Sequence, residues 1–124
     1  MQEIVWREVP FAAGWEDEEP DAVVWIDIKR IDAAWALTDQ YIVPGGANGQ
    51  DSRYQKVGEW FAGNRHCAMP FASFCEIGFQ FTDGRHRFAW LRDQGVETMP
   101  FQVPPSEATF FKEHFGSKFR RTIL

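Results

Sequence analysis

The chain has only two cysteines, Cys67 and Cys75, in 124 residues. Two thiols do not make the framework of a disulfide-stapled fold. No second pair at ligand spacing accompanies His66, Cys67 and Cys75, so a zinc site is not expected either. Also missing are a long apolar run and an N-terminal apolar segment, which argues against membrane spanning and secretion and for a reduced, cytoplasmic setting. Net positive charge is absent: 18 acidic residues face 13 basic ones, a formal charge of −5. Affinity for nucleic acid therefore cannot come from the overall field and would need a local basic patch. The glycine-rich loop Gly45-Gly46-Ala47-Asn48-Gly49 lacks a Gly-Lys-Ser/Thr ending, which excludes a P-loop and leaves a connector or an active-site flap. There is no internal repeat and no low-complexity segment.

Large aromatics are plentiful. Six tryptophans and twelve phenylalanines provide much buried area per residue, enough for one compact core in a single domain over residues 1–124. The N-terminal stretch through Ile4, Val5, Trp6 and Val9 to Phe11 reads as a short edge strand. The acidic run Glu16-Asp17-Glu18-Glu19-Pro20-Asp21 reads as a solvated turn or as a face for a basic partner. Ala22-Val23-Val24-Trp25-Ile26-Asp27-Ile28 is a strand, with Asp27 near its end either aimed into a cleft or acting as a cap. Residues 31–37 read as a short helix capped by Asp32, with Trp35 inward. A second helix spans 53–62 behind Asp51 or Ser52, with a stripe at Tyr54, Val57 and Trp60 or Phe61. Met69-Pro70-Phe71 reads as a turn, 74–82 as a strand and 98–103 as another. Ser106 is placed to cap a last helix that buries Phe110, Phe111 and Phe115. Lys118-Phe119-Arg120-Arg121 reads as a solvated basic tail or a phosphate contact. Strands and helices alternate within one small domain, which predicts an α+β fold, a small mixed sheet flanked by helices.

The chain is organised around Phe79-Gln80-Phe81-Thr82-Asp83-Gly84-Arg85-His86-Arg87-Phe88 and the helix running on to Gly95. Phe79 and Phe81 alternate with polar residues as in a half-buried strand. Asp83 stands where an N-cap belongs and Gly95 where a left-handed C-cap belongs. Phe88, Ala89 and Leu91 would face the core. Arg85, His86 and Arg87 then crowd the first helical turn, where the macrodipole is already positive and a misplaced cation costs about 0.3–1 kcal/mol. Either the arginines pair with carboxylates or splay into solvent, or an anion sits on the spare N–H groups of the helix N-terminus.

Asp83-Gly84-Arg85-His86-Arg87 resembles the second box of the ParB/sulfiredoxin superfamily, a Gly-x-His-Arg or Gly-Glu-Arg-Arg loop that holds nucleotide phosphates. More narrowly, the run from Asp83 through Gly95 to Val96-Glu97-Thr98-Met99-Pro100-Phe101-Gln102-Val103 resembles the plasmid fertility inhibition factors of the Osa type. That likeness extends over roughly residues 23–103. It implies a ParB/sulfiredoxin-like fold, a block on conjugative DNA transfer at the type IV secretion machinery, and ATPase and DNase activity. The sulfiredoxin nucleophile position holds Arg85 instead of cysteine, which argues against sulfinic-acid reduction. No helix-turn-helix comes after the loop, which argues against sequence-specific DNA binding.

The candidate chemistry therefore centres on the loop. Gly84, Arg85, His86 and Arg87 would bind nucleotide phosphates, ATP or another nucleotide, with Arg53 as a further anion ligand. Asp83, Arg85, His86 and Arg87 are the catalytic candidates. Asp83, with Asp27 or Glu76, would hold Mg²⁺, an ion that takes one or two protein carboxylates and keeps its waters. DNA contact would be weak and non-specific, through Arg53, Arg65, Lys118, Arg120 and Arg121. Two alternatives stay open: an interaction module with a vestigial anion site, and a small phosphotransferase.

Overall fold

In a computed structural model, residues 2–9, 20–47, 52–75 and 78–124 are described, Cys75 by its backbone alone. The acidic residues 16–19, Phe11, Asp51 and Glu76 lie outside them. Among the described residues six strands and four α-helices run in order: β1 (Val5–Arg7), β2 (Ala22–Asp27), α1 (Ile28–Trp35), α2 (Arg53–Gly63), β3 (His66–Ala68), β4 (Phe71–Cys75), β5 (Gly78–Asp83), α3 (Arg85–Asp93), β6 (Thr98–Val103) and α4 (Ala108–Phe115). A four-stranded sheet has the order β2-β6-β4-β5, and β1 pairs with β3 in a small parallel sheet. This is the expected α+β class.

The centre of the sheet explains the aromatic excess. All six residues of β6 are buried, because both its faces are covered. Phe101 meets Phe81 and Phe88 on the helical side, and the aromatic contacts continue from Phe81 to Trp35 and from Phe79 to Phe111. On the other side Thr98 and Gln102 meet the terminal segments. Thr122 Oγ1 donates to the Thr98 carbonyl at 2.8 Å, and the Gln102 side chain pairs with the Val9 N–H and C=O at 2.7 and 3.1 Å. Side chains also close ladder gaps elsewhere. Gln40 bonds the N–H and C=O of Phe81 on edge strand β5, and Glu107 accepts the Phe74 N–H at 2.6 Å. Unpaired strand groups are thereby satisfied.

Several expectations change for local reasons. The 74–82 run is not one strand: β4 ends at Cys75 and pairs antiparallel with β5, which opens at Gly78, whose φ is 105°. Phe71 opens β4 and is not in a turn. β5 and β6 run antiparallel with β4 between them, so α3 joins two strands that are not neighbours in the sheet. α1 begins three residues earlier than expected because Asp27, not Asp32, caps it by accepting the Arg30 N–H at 3.2 Å. Ser106 belongs to a 3-10 turn, and α4 has no side-chain cap among the described residues. The basic C-terminal stretch is not a loose tail. Its side chains are exposed, but Arg121 bonds Glu3 at 2.9 Å, and just beyond it Thr122, fully buried, and Leu124 pair through their backbones with Ile4 and Gln2.

Asp32 instead joins a polar knot. Arg92 Nη1 donates to Asp32 Oδ1 at 3.0 Å and Arg92 Nε to Asp93 Oδ1 at 2.9 Å, while the guanidinium lies over the Trp35 and Tyr41 rings. Asp93 Oδ2 accepts the Tyr54 hydroxyl at 2.6 Å and the Gly45 N–H at 2.9 Å. Burial and this bond to a carboxylate push Tyr54 up from its ordinary 10.0 to about 12.

The C-cap of α3 and the knot can each be tested by one substitution. Gly95 (φ 83°) closes α3 with the paired bonds Gly95 N to Arg92 O and Val96 N to Leu91 O, the full Schellman arrangement. Gly95→Val should cost on the order of 1–2 kcal/mol through backbone strain alone, read as a lowered melting temperature. Tyr54→Phe should cost about 1 kcal/mol at neutral pH. Because the folded-state pKa of Tyr54 is the higher one, its contribution is complete below pH 10 and fades as pH rises towards about 12. Denaturation curves across that range should show an alkaline loss in the wild type that Tyr54→Phe lacks.

Candidate anion-binding cleft

The turn between β5 and α3 sets the site. Gly84, and not Asp83, is the N-cap residue, with φ 90° and its carbonyl accepting the Phe88 N–H at 2.9 Å. A Cβ there would lie 2.9 Å from Pro70 Cβ and 2.8 Å from Arg87 Nη2. The position demands glycine twice, for its left-handed backbone and for the close approach of Pro70. Relieved of capping, the Asp83 carboxylate pairs with Arg87 one turn on, at 3.1 Å.

Beside this turn lies a cleft of about 530 Å³. Its floor is Asp83, Gly84, His86 and Arg87; one wall is α2, through Arg53, Lys56, Val57 and Trp60; the other is the β1–β3 sheet, through Arg7, Cys67 and Ala68. Arg53, Lys56, Val57 and Trp60 recur at the spacing of one helix face, which is why α2 presents them together. Among the described residues four cations and one carboxylate line the cleft, a formal local charge of +3 in a chain of −5. Asp83 is 60% exposed and Arg87 26%, so their pair is worth at most about 1 kcal/mol and can open for a stronger anion. Arg87 Nε is buried with no hydrogen-bond partner among the described residues.

α2 is seated close against α3. A Cβ on Gly58 would stand 2.8 Å from Trp90 Nε1, and Phe61 stacks on Trp90 at 5.4 Å. Phe61 is therefore the buried member of the stripe, while Trp60 is 42% exposed at the cleft.

The structure thus brings together Asp83, Gly84, His86, Arg87 and Arg53 of the expected site. Arg85 opens α3 but does not line the cleft. Asp27 does not join it: β2 lies at the opposite edge of the sheet from β5, and Asp27 pairs with Thr98 while Asp83 lies level with Gln102 through Phe71. Its carboxylate caps α1 instead. Arg7, Lys56 and Trp60 were not anticipated. Lys56 was accessible, one turn after Arg53 on the same face, whereas nothing local marks Arg7. Burial pushes the Cys67 thiol up to about 11 from the ordinary 9.0, despite the pull of Arg87 and Arg7, which disfavours the reactive thiolate.

Gly84→Ala should strain the turn by about 1–3 kcal/mol, lowering the denaturation midpoint. Gly63→Ala, on α2 where an added Cβ meets nothing within 4 Å, should be neutral or slightly stabilising.

Comparison with known proteins agrees with this fold. A crystal structure of Oncogenic Suppression Activity Protein, a plasmid fertility inhibition factor solved as its gold(I) cyanide derivative, matches with a TM-score of 0.63 and 20% identity. The match covers 81% of this chain and 58% of that one, so the chain spans little more than half of that protein's length. No curated protein matches the sequence significantly. The family model for the plasmid fertility inhibition factor matches residues 23–116. By that match, which takes in most of the chain, the protein belongs to the plasmid fertility inhibition factor family.

Proposed function

We propose that this protein blocks conjugative DNA transfer at the secretion machinery and that it does so through a cleft that binds the phosphates of a nucleotide, ATP or a relative. The observation that supports the cleft is the meeting of Arg7, Arg53, Lys56 and Arg87 with one carboxylate at the start of α3. A phosphate chain placed there would take bidentate bonds from arginines, charge attraction from Lys56 and N–H groups of the 84–86 turn, each stronger for being charge-assisted. Arg87 would leave Asp83 for the phosphate, and His86 would orient an oxygen of the same group. The kinship to ParB/sulfiredoxin proteins belongs to this proposal.

Mg²⁺ fits only as a companion of the phosphates. Among the described residues there is no cluster of three His, Cys, Asp or Glu able to hold a metal, and Asp83 is the only cleft carboxylate. One carboxylate plus phosphate oxygens and waters is nevertheless an ordinary Mg²⁺ environment. When bound, the ion would offset charge on the phosphates, and Asp83 would be its protein ligand. Hydrolysis of ATP and slow nicking of DNA are the reactions this arrangement is suited to assist, since both rest on positioning and on stabilising phosphate charge. DNA binding by so local a patch would be weak and would fall steeply with salt. No helix among the described residues is long and apolar enough to cross a membrane.

Calorimetry with a non-hydrolysable ATP analogue and Mg²⁺ tests the cleft. Arg87→Ala should weaken binding by about 1.5–3 kcal/mol, the scale of a hydrogen bond to a charged group. In a mating assay, donor cells expressing the wild type should transfer plasmid poorly and cells expressing Arg87→Ala should recover transfer. A variant that has lost nucleotide but inhibits as well as the wild type would mark the protein as an interaction module with a vestigial anion site.

A further inference from the structure

We infer that Trp60 is the base-stacking wall of the cleft, so that the site selects a nucleoside polyphosphate over a bare phosphate chain; this rests on the phosphate-binding proposal above. The cations account for only part of the cleft. About 530 Å³ is the size of a small-molecule site, far more than one phosphate group fills. Besides the cations and the Asp83, Gly84 and His86 floor, the cleft carries an apolar part: Val57, Trp60, Phe61, Cys67 and Ala68.

A single exposed tryptophan is ordinary on a protein surface. Trp60 differs because its orientation is fixed while much of the residue stays exposed at the cleft. Its Nε1–H donates to the His66 carbonyl at 2.8 Å, and its ring meets the His66 ring edge-on at 5.5 Å and 81°. Asn64 Nδ2 donates to the Trp60 carbonyl at 2.9 Å, securing the same end of α2. The ring is held at its indole N–H edge, and 42% of the residue remains exposed. An aromatic ring that is held in place yet partly exposed has already lost its rotamer freedom, which lowers the cost of stacking a planar ligand on it. Trp60 also lies one turn beyond Lys56 and two beyond Arg53 on the face of α2 that lines the cleft. Cations and ring thus succeed one another along a single wall, as phosphate and base do in a nucleotide. Base–aromatic stacking accepts any base, so this contact would set nucleoside against no nucleoside and not one base against another.

The test compares two ligands, tripolyphosphate and a non-hydrolysable ATP analogue, by calorimetry on wild type, Trp60→Leu and Trp60→Phe. The wild type should bind the analogue more tightly than tripolyphosphate. Trp60→Leu should lose about fivefold or more in affinity for the analogue, the low end of what a stacked base contributes, with tripolyphosphate affinity unchanged. Trp60→Phe, which keeps a ring but not the bond to His66, should keep most of the analogue's affinity. Equal binding of the analogue by wild type and Trp60→Leu overturns the inference, and so does an equal fall for both ligands, which would give Trp60 a merely structural role. If the wild type binds tripolyphosphate but gains nothing from the nucleoside, this inference fails while the anion cleft stands. If the wild type binds neither ligand, the cleft itself is refuted and the inference with it.

Discussion

The structure depends on the side chain of Arg92, buried between two carboxylates and two aromatic rings. It ties α3 to α1 through Asp32, and Asp93 carries the connection on to Tyr54 of α2 and to the loop at Gly45. Ion pairs of this kind add little net stability, because desolvating the charges offsets most of their attraction. Their effect is on register. Removing one partner would leave the others buried and unpaired, so the three helices cannot shift independently without a large penalty. The bonds hold the Asp93 carboxyl below its usual range even though burial alone would raise it. The carboxylate therefore remains ionised throughout the neutral range, and the knot with it.

That constraint fixes the cleft at a distance. α2 is held to α3 at the Tyr54–Asp93 bond near its start and at the Gly58–Trp90 and Phe61–Trp90 contacts further along. Its opposite face is left to present Arg53, Lys56 and Trp60 toward the start of α3. The cations at that helix start repel one another and the macrodipole. The packing of α2 against α3 holds their backbones in place, and the Asp83–Arg87 pair, which offsets part of the charge, is exposed and weak. A site assembled under such repulsion is poised for an anion in a way that a neutral cleft is not.

The elements around the central loop were legible because their signals are local. Phe79 and Phe81 alternate with polar neighbours, Phe88, Ala89 and Leu91 sit at helical spacing, and Gly95 closes α3 in a left-handed conformation as its position suggested. Caps were less legible. Asp83 and Asp32 look like N-caps in sequence, yet each pairs with an arginine, Arg87 and Arg92, and another residue took the cap position. Reading 74–82 as one strand failed because continuous β-propensity hides a hairpin when the turn is not marked by a familiar pair such as Asn-Gly. At the site, Gly84, His86 and Arg87 were visible from their crowding, and Arg53 as a basic helix start. Arg7 was not, since it reaches the cleft only through the pairing of β1 with β3, a contact between segments some sixty residues apart.

That pairing bears on how the family segment and its surroundings divide the site. Arg53, Lys56, Trp60, Gly84 and Arg87 all fall inside the matched residues 23–116, whereas Arg7 falls outside them. The matched segment therefore supplies the loop and the α2 wall, and the N-terminal strand adds a further cation on the opposite side. The same terminal segments cover the polar face of β6, through the Gln102 clamp on Val9 and the Thr98–Thr122 bond. A buried glutamine whose only described partners are the backbone groups of Val9 would be left unsatisfied if that strand moved away. Arg7 is thus kept at the cleft by satisfaction of the sheet's own polar groups, and its position does not wait on a ligand. Arg7's contribution to the cleft and the clamp on Gln102 are two consequences of one contact, that of the N-terminal segment with the sheet.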